Sequence, residues 1–141
     1  MAQRILVVDD EEHIRFLIKT NLERAGYEVI TAPNGRLAVE TAQAFNPDLV
    51  VMDVMMPEMD GLEAMRILKA DDATSAIPVV LLTAKGQDSD VFEGWQSGAD
   101  LYLTKPFHPR ELLLFIKRIL DNAEEMERSN QTFEVTDLDE E

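Results

Sequence analysis

Four short apolar runs end in side chains that could do polar chemistry together. Ile5-Leu6-Val7-Val8 runs into Asp9-Asp10, and Leu49-Val50-Val51-Met52 into Asp53. Val79-Val80-Leu81-Leu82 runs into Thr83, and Leu101-Tyr102-Leu103-Thr104 into Lys105-Pro106. Three carboxylates side by side repel one another and resist ionisation unless a cation neutralises them. An all-oxygen cluster of that kind suits Mg²⁺, which keeps several waters and needs only one or two carboxylates. A lysine and a hydroxyl facing such a site are what a transferring phosphoryl group requires, because its equatorial oxygens carry charge that must be met from several sides.

These residues act together only if the chain brings the ends of the runs to one edge. Between the runs lie segments with helical spacing of apolar residues. His13 to Ala25 carries Ile14, Phe16, Leu17, Ile18 and Leu22, and Gly26 stands in the position that stops a helix. Tyr27 to Thr31 reads as a strand, Asn34-Gly35 as a turn, and Arg36 to Phe45 as a helix ending before Asn46-Pro47. Leu62 to Lys69 and residues 88–97 read as further helices, and Pro109 opens a last one from about Arg110 to at least Leu120. The run at Leu49–Met52 has no polar residue and is expected at the centre of a parallel sheet. Five strands alternating with five helices predict an α/β domain, doubly wound, with helices on both faces of the sheet. In open sheets of this kind sites form at the carboxyl ends of the strands.

Composition removes several alternatives. With no cysteine, disulfides, thiolate metal sites and cysteine nucleophiles are excluded. No apolar run approaches the length of a membrane span, and the N-terminus turns acidic too early for a secretion signal, so a cytoplasmic protein is expected. Thirteen basic residues against 28 acidic ones give a net charge of −15, which argues against direct binding of nucleic acid. Residues 121–141 hold nine acidic side chains and a single basic one, Arg128, so more than half of that charge sits in the last 21 residues. The expected division is a domain over 1–122 and an acidic extension over 123–141, a helix end that frays past about Met126.

The set Asp9-Asp10, Asp53, Thr83-Ala84 and Lys105-Pro106, with the flanking text VVDDEE, MDVMMPEMDGLE, LLTAK and GADLYLTKPF, resembles the receiver domains of two-component response regulators over residues 4–120. The resemblance implies a flavodoxin-like fold of five parallel strands in the order 2-1-3-4-5. It implies that Asp53 accepts a phosphoryl group from a histidine kinase, a histidine phosphotransfer protein or a small phosphodonor. Asp9, Asp10, Asp53 and the main-chain carbonyl of Met55 would hold Mg²⁺. Thr83, Ala84 and Lys105 would meet the phosphoryl oxygens, across a Lys105–Pro106 bond expected to be cis. Thr83 and Tyr102 would form the switch that carries the signal to a downstream protein. Such a domain modifies only itself and is not counted as an enzyme.

Other residues carry duller expectations. Asp60 before Gly61 reads as a helix start, Glu11 and Glu12 as favourable charges at a helix N-terminus, and His13 and His108 as surface residues. Met55, two residues beyond Asp53, has no group that could orient an attacking water, which predicts a long-lived phosphoryl group. Where related receivers pair through charges, this sequence has Val91, Gln96, Leu101 and Phe115. Val91, Leu101 and Phe115 are therefore expected to form an apolar homodimer face. The expected function is a stand-alone phosphorylation switch. The alternatives are an intermediate that relays phosphate to a histidine phosphotransfer protein, and the receiver fragment of a DNA-binding regulator. The acidic end speaks against the latter. A nucleotide-binding protein of the same fold would need a glycine-rich loop where Asp9-Asp10-Glu11 stand.

Overall fold

The wholly apolar run lies in the middle of the sheet. The computed structural model describes residues 2–84 and 98–140, with side chains as far as Met126. Its strands are β1 (Arg4–Val8), β2 (Glu28–Ala32), β3 (Leu49–Asp53), β4 (Val79–Ala84) and β5 (Leu101–Lys105). They pair in parallel in the order β2-β1-β3-β4-β5. The helices are α1 (Glu12–Arg24), α2 (Gly35–Phe45), α3 (Gly61–Ala70) and α4 (Pro109–Glu140). The segment read as a helix at 88–97, with Lys85, Val91 and Gln96, lies outside the described residues.

Although the strands look uniformly apolar, their residues divide by alternation between the two faces. Leu6, Val8, Val50, Met52, Val79 and Leu81 pack with Ala38, Ala42, Leu62, Met65 and Leu68 of α2 and α3. Ile5, Val7, Leu49, Val51, Val80, Leu82 and Leu103 pack with Ile18 and Leu22 of α1 and with Leu112, Ile116 and Leu120 of α4. The sheet is therefore buried on both sides, which is why every residue of β3 is buried.

Local signals set the helix starts. Asn34, read as part of a turn, is the N-cap of α2, its side-chain oxygen accepting from the Leu37 N–H at 2.9 Å. Asp60 caps α3 in the same way, accepting from the Glu63 N–H at 2.8 Å, so its helix-start reading holds. Each such cap contributes about 1 kcal/mol. His108 and His13 are both exposed; His13 approaches Glu11 at 3.4 Å and His108 Nδ1 accepts from the Arg110 N–H at 3.1 Å.

Helix α4 is continuous over 32 residues, roughly 48 Å of helix, and so extends past Met126, where the sequence reading placed the helix end. No glycine or proline interrupts residues 110–140, and the stretch is rich in good helix formers. Leu120 is its last buried residue among those described; residues 121–126 are all exposed, and Glu124 still accepts from the Gln3 side-chain amide at 3.3 Å. Of the expected dimer face, Leu101 and Phe115 lie among the described residues. Leu101 and Phe115 are half-buried against the inner cluster on the α1/α4 side, because Phe115 lies on the same turn as Leu112 and Ile116. Val91 falls outside the described residues.

The chain between β3 and α3 is packed so closely that side chains are excluded. The Gly61 N–H donates to the Val54 carbonyl at 2.8 Å, and a Cβ on Gly61 would overlap the carbonyl oxygen of Asp53. A Cβ on Gly35 would overlap the carbonyl oxygen of Met59 in the same loop. Gly61→Ala should therefore push α3 off the end of β3 and cost about 1–3 kcal/mol. Urea denaturation checks this: a midpoint within error of the wild type would show that the loop accommodates the methyl group.

Candidate functional site

Among the described residues four polar side chains are buried, and three of them, Asp9, Asp53 and Thr83, stand at the carboxyl edge of the sheet. The fourth, Thr74, donates to the Leu68 carbonyl at 2.7 Å in a turn at the other end of α3. Strand alternation explains the grouping. Asp9 continues the side of Val7, Asp53 that of Val51 and Lys105 that of Leu103, so all three point to the α1 side. Thr83 and Tyr102 fall on the opposite side, where Tyr102 packs half-buried against the cluster around Leu81, its register partner.

Carboxylate oxygens of Asp9, Asp10 and Asp53 lie within 4.8 Å of one another. Lys105 reaches in from β5, its Nζ 3.0 Å from Asp9 Oδ2 and 3.4 Å from Asp53 Oδ2. The Lys105–Pro106 bond is cis, as expected from the sequence. Asp9 Oδ1 accepts from the Glu11 N–H at 2.9 Å, and the Asp9 carbonyl accepts from Arg15 Nη1 at 2.6 Å. The Met55 N–H donates to the Asp53 carboxylate, while the Met55 side chain is exposed. Met56, by contrast, is buried in the core between sheet and α3. Ala84 ends β4 beside Lys105, and Thr104 is exposed, which removes it as a rival to Thr83.

Burial is the largest influence on Asp53. It raises the carboxyl to about 6, with the Asp9 charge adding to the rise and Lys105 and the Met55 N–H opposing it. Burial disfavours the charged form of Lys105, but the hydrogen bond to Asp9 and the charges of Asp53 and Asp9 outweigh it, so its ammonium is held above the usual range. Three carboxylates face one ammonium, and with all of them ionised two negative charges are unmatched. A hard divalent cation with oxygen ligands fits that deficit.

Of the residues singled out in the sequence, Asp9, Asp10, Asp53 and Lys105 are brought together at this edge. Sequence reasoning missed Arg15, which carries no motif and is recognised only when α1 is seen to lay it over the Asp9–Asp10 peptide. It also missed the steric role of Gly61, although a glycine directly after a capping Asp60 was a visible signal.

Comparison with known proteins agrees with the fold. Residues 5–117 match the family model of the response regulator receiver domain. The alkaline phosphatase synthesis transcriptional regulatory protein PhoP of Bacillus subtilis is 47% identical over 124 residues, which are 88% of this chain and 51% of that protein. The chain thus spans about half the length of this curated relative. The chemotaxis protein CheY4 of Vibrio cholerae superposes with a TM-score of 0.79 at 36% identity, covering 84% of this chain and 98% of that one. The receiver domain of the sensor histidine kinase PA1611 from Pseudomonas aeruginosa does so with a TM-score of 0.79 at 31% identity. That match covers 86% of this chain and 99% of the other, whose active-site cleft coordinates a magnesium ion.

The raised Asp53 carboxyl makes a statement about stability. Between the ordinary carboxylate range and about 6 the folded chain binds a proton that the unfolded chain has released. Ionised Asp53 therefore costs the metal-free fold, on the order of 2–3 kcal/mol at pH 7.5, and the cost fades as the pH falls through 6 toward 4. In EDTA, Asp53→Asn should melt several degrees above the wild type at pH 7.5, with the gap shrinking steadily by pH 5. A gap of equal size at both pH values would contradict burial as its cause.

Proposed function

The chain belongs to the response regulator receiver domain family, and on that premise we propose that Asp53 is its phosphoacceptor, with Lys105, Thr83 and Ala84 receiving the phosphoryl group. The observation that carries this reading is a buried carboxylate at the end of the central strand, 3.4 Å from Lys105 and clustered with Asp9 and Asp10. A carboxylate oxygen of Asp53 attacks the phosphorus of a phosphohistidine. The P–N bond breaks, and its electron pair leaves on the imidazole nitrogen, which then takes a proton. Asp9, Asp10, Asp53 and the Met55 carbonyl would hold Mg²⁺, which when bound offsets the surplus negative charge of the cluster and of the transferring group. Lys105 pairs with the carboxylate before transfer and with a phosphoryl oxygen after it. The Thr83 hydroxyl and the Ala84 N–H donate to the remaining oxygens.

Thr83 and Tyr102 share the opposite side of the sheet from Asp53. Drawing Thr83 toward the phosphoryl group changes the packing space beside Tyr102, which offers a route from the modified edge to a partner-binding surface. The domain catalyses only its own modification and its reversal. Its phosphodonor is a histidine kinase or a histidine phosphotransfer protein.

A second reading concerns what the domain belongs to. The PhoP relative is named a transcriptional regulatory protein and is about twice as long as the matched region. The same switch would then control a DNA-binding neighbour, whatever the charge of these 141 residues. Both readings share the chemistry at Asp53.

Incubation with acetyl phosphate and Mg²⁺ should add one phosphoryl group, about 80 Da by intact mass, and Asp53→Asn should add none. A gain that persists in Asp53→Asn would move the acceptor elsewhere. The exposed Met55 thioether cannot orient water for in-line attack, so the phosphorylated protein should lose its group over minutes to hours, in order of magnitude. Decay within seconds in the presence of Mg²⁺ would show that another group supplies that function.

A further inference from the structure

The shortest contact at the carboxylate edge involves a residue with no part in the chemistry above. Arg15, in the second turn of α1 and half-buried, donates from Nη1 to the main-chain carbonyl of Asp9 at 2.6 Å. Its partner is a carbonyl and not a carboxylate, so the contact fixes a peptide plane instead of pairing charges. That plane joins Asp9 to Asp10. Asp9 is already pinned at its side chain, by the Glu11 N–H at 2.9 Å and by Lys105 at 3.0 Å, and its own N–H donates to the Ala32 carbonyl at 3.3 Å. Asp10 is exposed, and its carboxylate takes no hydrogen bond among the described residues. The backbone from which the Asp10 side chain projects starts at the peptide before it, and the carbonyl of that peptide is held by Arg15.

We propose that Arg15 is a positioning residue for the cation cluster, holding the Asp9–Asp10 peptide so that the Asp10 carboxylate faces Asp9 and Asp53 before a cation arrives. The inference rests on reading the cluster as a Mg²⁺ site. Three like charges within 4.8 Å tend to swing apart, and the exposed Asp10 is the one free to do so. A clamp on its peptide opposes that motion without occupying a ligand position. Supporting groups behind metal ligands commonly tune affinity in this manner.

Positioning and simple charge predict opposite outcomes. A guanidinium beside a cation site repels the cation, so removing its charge alone would tighten Mg²⁺ binding, whereas removing the clamp loosens it. Mg²⁺ affinity measured by isothermal titration calorimetry on the full chain separates the two. Arg15→Gln should bind Mg²⁺ about ten-fold more weakly than the wild type, and Arg15→Lys, which keeps the charge and one donor, about three-fold more weakly. In the metal-free protein the Asp10 and Glu11 amide resonances should shift or broaden in Arg15→Gln, reporting the released peptide without any activity assay. Binding in Arg15→Gln that equals or exceeds the wild type, or in Arg15→Lys that matches it, overturns the proposal while leaving the phosphoacceptor reading intact. Should Arg15→Gln not fold, the Lys variant alone decides. A wild-type protein that binds no Mg²⁺ overturns the cation reading and this inference together.

Discussion

The structure depends on keeping a carboxylate inside the carboxyl edge of a doubly covered sheet. Asp53 ends β3, whose every residue is buried, and burial alone pushes its carboxyl up toward neutrality. A buried charge of this kind is tolerated only when partners compensate it. Lys105, two strands away, and the Met55 N–H supply part of the compensation, and Asp9 works against them. The remaining surplus of negative charge is of the kind that a hard divalent cation offsets.

Close packing around that carboxylate explains features that look unrelated in the chain. Gly61 has no side chain because α3 starts against the Asp53 carbonyl, and Gly35 has none because the Met59 carbonyl of the same loop lies over α2. Asp60 sits between these constraints and caps α3, so the loop after β3 is anchored at its end by a side chain and a main-chain hydrogen bond at once. On the other flank, Asp9 is gripped at its carboxylate from β5 and at its carbonyl from α1. Strand alternation separates two groups of residues at the edge: the charged groups share the α1 side, and Thr83 and Tyr102 share the α3 side.

Leu101 and Phe115 pack half-buried against the core, while Phe16, Leu17 and Leu114 are exposed on α1 and α4. Helix α4 runs on past Leu120 with no glycine or proline to stop it, and Glu124 meets Gln3 just before β1.

Sequence alone determined the alternation of strands and helices, the strand boundaries to within a residue or so, and the polar set at the strand ends. It could do so because these signals are local: apolar run length, glycine and proline punctuation, and the residue type that follows each strand. The order 2-1-3-4-5 came from resemblance to known receivers, since periodicity carries no information about which strand pairs with which. Which face each strand residue serves was invisible, because runs such as Leu49–Met52 are apolar on both sides. Tertiary structure decided that Phe115 turns inward, that Asn34 caps a helix, and that Arg15 reaches the Asp9 carbonyl. Each of these rests on a contact between segments, and a contact has no signature in either segment until the packing brings the two together.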